Sequence, residues 1–141
     1  MSETALTGGC FCGAVRYRVS KPAERTFHCH CSMCRKLHGA IFVTFSTVPE
    51  DGFAIERGGE SIGIFESSSL MRRSFCTGCG CQLYSQWSPA PGLIYLATGT
   101  LDEGAFPGPA GEFGEHVWVG SKVPWYEIAD GRPKFDEEPP D

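Results

Sequence analysis

The chain has 141 residues, 41% of them hydrophobic and 21% charged, with a formal net charge of −5. That length suits one core and is short for two, and the acidic balance argues against binding a phosphate backbone, so no nucleic-acid partner is expected. No apolar run approaches the ~20 residues of a bilayer crossing, and the polar start MSETALTGGC lacks the regions of a signal peptide. The expected setting is therefore cytoplasmic, without a membrane partner.

In chain order, AVRYRVS alternates, with Val15, Tyr17 and Val19 on one face and Arg16 and Arg18 on the other. AIFVTFSTV is β-branched and aromatic and is followed by Pro49. GFAIERG and SIGIFES flank a GGE turn at 58–60, and LMRRSFC, CQLYSQW, GLIYLATGTL, EHVWVGS and WYEIAD complete the strand signals. One short helix is predicted after Ser32, around SMCRKLHG, and stops at Gly39. The pattern predicts an all-β domain of several short antiparallel strands with little helix, over residues 1–135. GAFPGPAGEFGEH (104–116) reads as a loop. The acidic, Pro-containing tail 136–141 is too polar to pack and is expected to fray.

The eight cysteines fall into three groups, Cys10-x-Cys12, Cys29-x-Cys31-x-x-Cys34, and Cys76-x-x-Cys79 with Cys81 beyond. Disulfides between such near neighbours would close very short loops with little entropic gain, and a reducing cytosol disfavours them. Zinc is the better reading of these spacings. On a strand, positions i and i+2 share a face, so Cys-x-Cys can offer two sulfurs to one ion. In CTGCG, Gly78 and Gly80 can take the positive φ of a tight turn. Eight cysteines could make two closed sites. Seven could make one closed site and one open site, and spacing alone does not separate these options.

GGCFCGAVRY, CHCSMCRKLHGA, RRSFCTGCGCQLY and HVWVGSKVPWYEI, in that order, resemble the glutathione-dependent formaldehyde-activating family, which includes S-(hydroxymethyl)glutathione synthase and centromere protein V. The resemblance implies a zinc-bearing fold of the β-tent type with two zinc ions. It implies Cys10, Cys12, Cys76 and Cys79 around a structural zinc, and Cys29, Cys31 and Cys34 around a catalytic one. Cys81 has no place in that pattern: it reads as an inert, spare core residue, or else it could compete for either zinc and, at the second site, close it. The activity implied is that of a carbon–sulfur lyase or synthase that adds a thiol, glutathione, to formaldehyde or a related aldehyde. The rival readings are a non-catalytic zinc-binding interaction module and a redox protein using Cys76 and Cys79.

Several neighbours have two readings. Arg35 and Lys36 could offset the charge of the triplet or be solvated surface residues. His30 should face away from the sulfurs if Cys29 and Cys31 lie on a strand. His28 and His116 could lie near the site or simply pack. Trp118, Trp125 and Tyr126 read as core, and Arg72 and Arg73 as substrate-facing or exposed.

Overall fold

The structure, a computed structural model, describes residues 5–109 and 114–139. In chain order its elements are β1 (Leu6–Gly9), β2 (Arg16–Val19), β3 (Arg25–Cys29), α1 (Ser32–His38), β4 (Val43–Pro49), β5 (Phe53–Arg57), β6 (Ile62–Glu66), β7 (Met71–Cys76), β8 (Gln82–Trp87), β9 (Leu93–Ala97) and β10 (Glu115–Val117). β1, β2 and β5 form one sheet, and the remaining seven form a second in the order β10-β3-β4-β9-β8-β7-β6. All pairings are antiparallel except that of β10 with β3. The all-β expectation holds, and α1 stops at Gly39, whose φ of 60° ends the helix in the left-handed region.

The small sheet lays Tyr17 and Val19 over Val48, Leu83 and Leu96 of the large one, and these side chains form the main core. Each such burial contributes about 1.5–3 kcal/mol. The Tyr17 hydroxyl meets Thr100 Oγ1 at 2.7 Å, so its polar end is satisfied. On the opposite face of the large sheet, Phe27, Phe45, Cys29 and Val43 form a second cluster with Cys34 of α1.

Two strands carry no clear signal in the sequence. LTGG of β1 has no apolar alternation. RTFHC of β3 is half polar, yet Thr26, Phe27, His28 and Cys29 are all buried because the sheet is covered on both faces there. Its polar members are satisfied by neighbours on β4: Thr26 Oγ1 lies 2.8 Å from Ser46 Oγ, and His28 Nδ1 lies 2.8 Å from Thr44 Oγ1. WYEIAD forms no strand, and Trp125, expected in the core, is 74% exposed. Of the tail 136–141, residues 140 and 141 lie outside the described residues. Residues 136–139 do not stand free: the Trp118 amide donates to Glu137 O at 3.1 Å, and the Gly120 amide to Asp136 O at 3.2 Å.

His28, His30 and His116 are buried together on the face of β3 and β10 opposite Phe27 and Cys29. His30 Nε2 lies 2.9 Å from His116 Nδ1, and His116 Nε2 lies 2.8 Å from Asp130 Oδ2. This is a packed polar seam that locks β10 onto β3. Burial, reinforced by His116, His28, Lys122 and Arg35, lowers the His30 pKa to about 4.

The folded form therefore keeps His30 neutral, while the unfolded chain takes up a proton near pH 6.5. Stability is full above about pH 6.5 and is lost as pH falls toward about 4. The melting temperature should decline across that window, and His30→Gln should flatten the decline. An unchanged slope in the variant would place the acid sensitivity elsewhere.

Candidate metal centres and the adjoining cavity

The first centre forms where two hairpins meet. Cys10 follows β1, Cys12 lies in the β1–β2 turn, Cys76 ends β7, and Cys79 lies in the β7–β8 turn. Their four sulfurs all lie within 4.8 Å of one another. The Cys10–Cys12 and Cys12–Cys76 separations are 3.6 and 3.8 Å. Four sulfurs at tetrahedral corners about 2.3 Å from a zinc ion would lie about 3.8 Å apart, so the donor set and spacing fit a closed thiolate site. The Val15 amide donates to Cys10 Sγ at 3.3 Å, which favours the Cys10 thiolate, and the Gly78 amide donates to Cys76 Sγ at 3.3 Å. Gly80 has the expected positive φ, 80°, but Gly78 does not.

Cys81 belongs to neither sulfur group. It packs half-buried against the main core beside Cys10 and Cys76, and its Sγ lies 3.6 Å from the Gln82 carbonyl. Burial pushes its thiol pKa up. It neighbours the first centre and does not complete the second.

The second centre forms at the start of α1. Cys29 is the last residue of β3, Cys31 caps the helix, and Cys34 lies in its first turn. Their sulfurs also lie within 4.8 Å of one another. The strand ends at Cys29, so Cys31 reaches the cluster as a cap and not as a strand partner, with its Sγ accepting from the Cys34 amide at 3.3 Å. Without a cation, three adjacent thiols cannot all ionise. Hydrogen bonding with Cys31 and Cys34, then burial, pushes Cys29 up. Donation from Cys29 and Cys34, aided by Arg73, pulls Cys31 down despite its burial. The set calls for positive charge, and three sulfurs with no fourth Cys, His, Asp or Glu grouped with them among the described residues fit an open zinc site.

Part of that charge is built in. Arg73 on β7 is only 2% exposed. Its Nη1 lies 3.7 Å from Cys34 Sγ and 3.4 Å from Ser85 Oγ, and its Nε donates to Ser67 Oγ at 3.0 Å. The sheet register delivers it there, since Arg73, Ser85, Tyr95, Thr47 and Arg25 stand opposite one another across β7, β8, β9, β4 and β3. Arg72 points the other way and is exposed. Strand alternation in LMRRSFC separates the two arginines, but the sequence does not say which one turns inward. The sequence reading also passed over His38, one helical turn beyond Cys34 and therefore on the same face of α1. Burial, then Arg73, lowers its pKa to about 4, with Cys31 opposing. Arg35 instead donates to the His30 carbonyl at 3.3 Å, and Lys36 is exposed.

A cavity of about 810 Å³ opens over the triplet. Cys29, Cys31 and Cys34 line its floor, with Phe27, Phe45 and Tyr95 on the sheet side. Trp118, Glu138 and Pro139 contribute a wall, so the segment expected to fray borders the site. Trp118 Nε1 donates to Glu138 Oε2 at 3.0 Å and fixes that wall. None of His28, His30 and His116 lines the cavity.

The sequence profile of the "Glutathione-dependent formaldehyde-activating enzyme" family matches residues 5–121, and the chain belongs to that family. A Halomonas elongata protein is 30% identical over 129 residues, covering 87% of this chain and 80% of its own. A Fusarium vanettenii protein is 26% identical over 103 residues, covering 71% of this chain and 55% of its own. Each is named "Putative glutathione-dependent formaldehyde-activating enzyme". The crystal structure of a Rhodobacter sphaeroides protein superposes with a TM-score of 0.60 at 28% identity, covering 75% of this chain and 95% of that one.

Residues that orient or charge-balance metal ligands commonly contribute 10–100-fold to metal affinity. Arg73→Gln should weaken metal retention at the triplet by that factor in a chelator competition, and Arg73→Lys should recover part of it. The four-cysteine centre should keep its metal in both variants. Equal retention by Gln and wild type would remove Arg73 from this role.

Proposed function

We propose that the chain is a zinc-dependent carbon–sulfur lyase or synthase that adds a thiol, glutathione in the reading its family favours, to formaldehyde or a related aldehyde. Cys10, Cys12, Cys76 and Cys79 would hold a structural zinc, and Cys29, Cys31 and Cys34 a catalytic one. The observation that carries the reading is the cysteine triplet on a cavity floor with no fourth cysteine, histidine or carboxylate in its group among the described residues.

Zinc bound by three thiolates supplies an open position and favours the deprotonated form of a thiol that enters it. The protein's own residues do the rest. Cys29, Cys31 and Cys34 hold a compact anionic floor, which Arg73 partly neutralises from within the sheet. The apolar side chains above it limit water around the reacting sulfur. The substrate S–H adds across the carbonyl: a C–S bond forms, the C=O becomes C–O–H, and the thiol proton ends on oxygen. No electrons leave the pair of reactants, so no redox partner is required.

Cys81 sits with the first centre, which weighs against a closed second site, one of the two forms of the interaction-module reading; the other, an empty second site, is tested by the metal count below. The redox reading is weakened by the convergence of Cys76 and Cys79 with two further sulfurs.

Fresh, reduced protein should contain two zinc ions per chain. After cobalt substitution, glutathione should shift the metal–thiolate absorption, and exchange between glutathione, formaldehyde and their adduct should exceed the spontaneous rate. Cys34→Ser should keep the fold, lose one metal and lose the rate enhancement. Full activity in that variant would sink the proposal.

A further inference from the structure

We infer that Arg25 is the residue that recognises a carboxylate on the thiol substrate, and that it does so by exchanging Glu138 of the C-terminal segment for that carboxylate. The inference rests on the thiol–aldehyde reading above and names what the thiol carries besides its sulfur.

Arg25 is a prepared donor. It lines the same cavity as the cysteine triplet. Its Nε donates to Glu115 Oε2 at 3.0 Å, and its guanidinium lies 4.3 Å over the Phe27 ring, so two contacts hold the group in place. Its Nη2 is buried and has no hydrogen-bond partner among the described residues. A buried charged donor left without an acceptor is destabilising, and a ligand oxygen that reaches it relieves the cost.

Glu138 shows what kind of oxygen suits the position. Its Oε1 lies 3.6 Å from Arg25 Nη2, inside ion-pair range but too far to accept a hydrogen bond. Its Oε2 is held by Trp118 Nε1 at 3.0 Å, and the side chain is 54% exposed. A long, half-exposed ion pair contributes little, whereas a short charge-assisted bond to the same guanidinium contributes more. Exchange also keeps the local charge unchanged: Glu115 stays, one carboxylate leaves and one arrives. Adding an anion without removing Glu138 would instead crowd three carboxylates around one arginine.

The strand supplies a ruler between sulfur and carboxylate. Arg25, Phe27 and Cys29 share one face of β3, and the Arg25 guanidinium lies over Phe27, two residues before Cys29. Two residues of strand span about 7 Å. A carboxylate on the thiol-bearing residue itself falls short of that distance. One more residue of extended chain adds about 3.5 Å and brings a carboxylate into reach. The substrate class is therefore a thiol whose carboxylate lies one amide bond beyond the thiol-bearing residue, and the cavity of about 810 Å³ has room for such a body.

The test uses the zinc-loaded full chain and reads binding by calorimetry with ligands blocked at sulfur, apart from any turnover. S-methylglutathione should bind at least tenfold more tightly than its glycine amide, the scale of a hydrogen bond to a charged group, and at least tenfold more tightly than S-methylcysteine. In Arg25→Gln the preference for acid over amide should fall to near one. Glu138→Gln, at an exposed side chain, should bind S-methylglutathione three- to tenfold more tightly than wild type, and it keeps the inference testable if Arg25→Gln does not fold.

Equal binding of acid and amide by the wild type would overturn the inference. So would an acid preference that survives in Arg25→Gln, or a Glu138→Gln variant with unchanged or weaker affinity. S-methylcysteine binding as tightly as S-methylglutathione would overturn the ruler and with it the substrate class. Turnover of glutathione and formaldehyde above background, together with equal binding of acid and amide, would remove Arg25 from this role and leave the proposed function standing. Arg25-dependent binding of the acid without any such turnover would support the subsite and overturn the thiol–aldehyde reading instead.

Discussion

Crowded sulfur is the constraint on which the rest of this structure depends. Seven thiols are drawn into two groups, each with its sulfurs within 4.8 Å, and in their ionised forms they repel one another. A fold can tolerate that only if positive charge is supplied to each group. At the hairpin junction, amides from Val15 and Gly78 supply partial charge. At the start of α1, the cation is an arginine drawn from the middle of strand β7. The two sheets, the helix cap and the buried guanidinium can all be understood as answers to the same electrostatic problem.

The two centres divide the work by location. The first joins turns from both sheets next to the main core, where Cys10 and Cys76 are themselves core residues. Rigidity is gained there, and there is no room for a ligand to approach the buried pair. The second lies at a strand-to-helix junction, with Cys31 partly exposed to a large cavity. Access is gained there, and the histidines that might have crowded the sulfurs are turned through the sheet to the other face. That separation puts the buried histidine seam and the sulfur triplet on opposite faces although their residues are adjacent in the chain.

Much of this was legible in the sequence. Alternation in AVRYRVS and the β-branched run in AIFVTFSTV located their strands, and Ser32 and Gly39 bracketed the helix. The cysteine spacings defined three local groups, and only the family resemblance joined Cys10 and Cys12 to Cys76 and Cys79, as the fold does. Three things were hidden, each for a physical reason. β3 is buried on both faces and accommodates polar residues through cross-strand hydrogen bonds, so it shows no alternation. Arg72 and Arg73 are equivalent in composition, and only the register across five strands selects Arg73. The polar tail gains its partners from backbone amides at Trp118 and Gly120, which side-chain composition does not reveal.

The row from Arg73 through Ser85, Tyr95 and Thr47 to Arg25 has a consequence for assembly. A slip of β7 by one residue would turn every side chain on it to the other face. Arg73 would then leave the sulfurs, and Ser74 or Arg72 would replace it at the wrong position along the strand. Metal capture at the triplet would thus favour chains in which β7 has aligned correctly, by the share of affinity that Arg73 supplies.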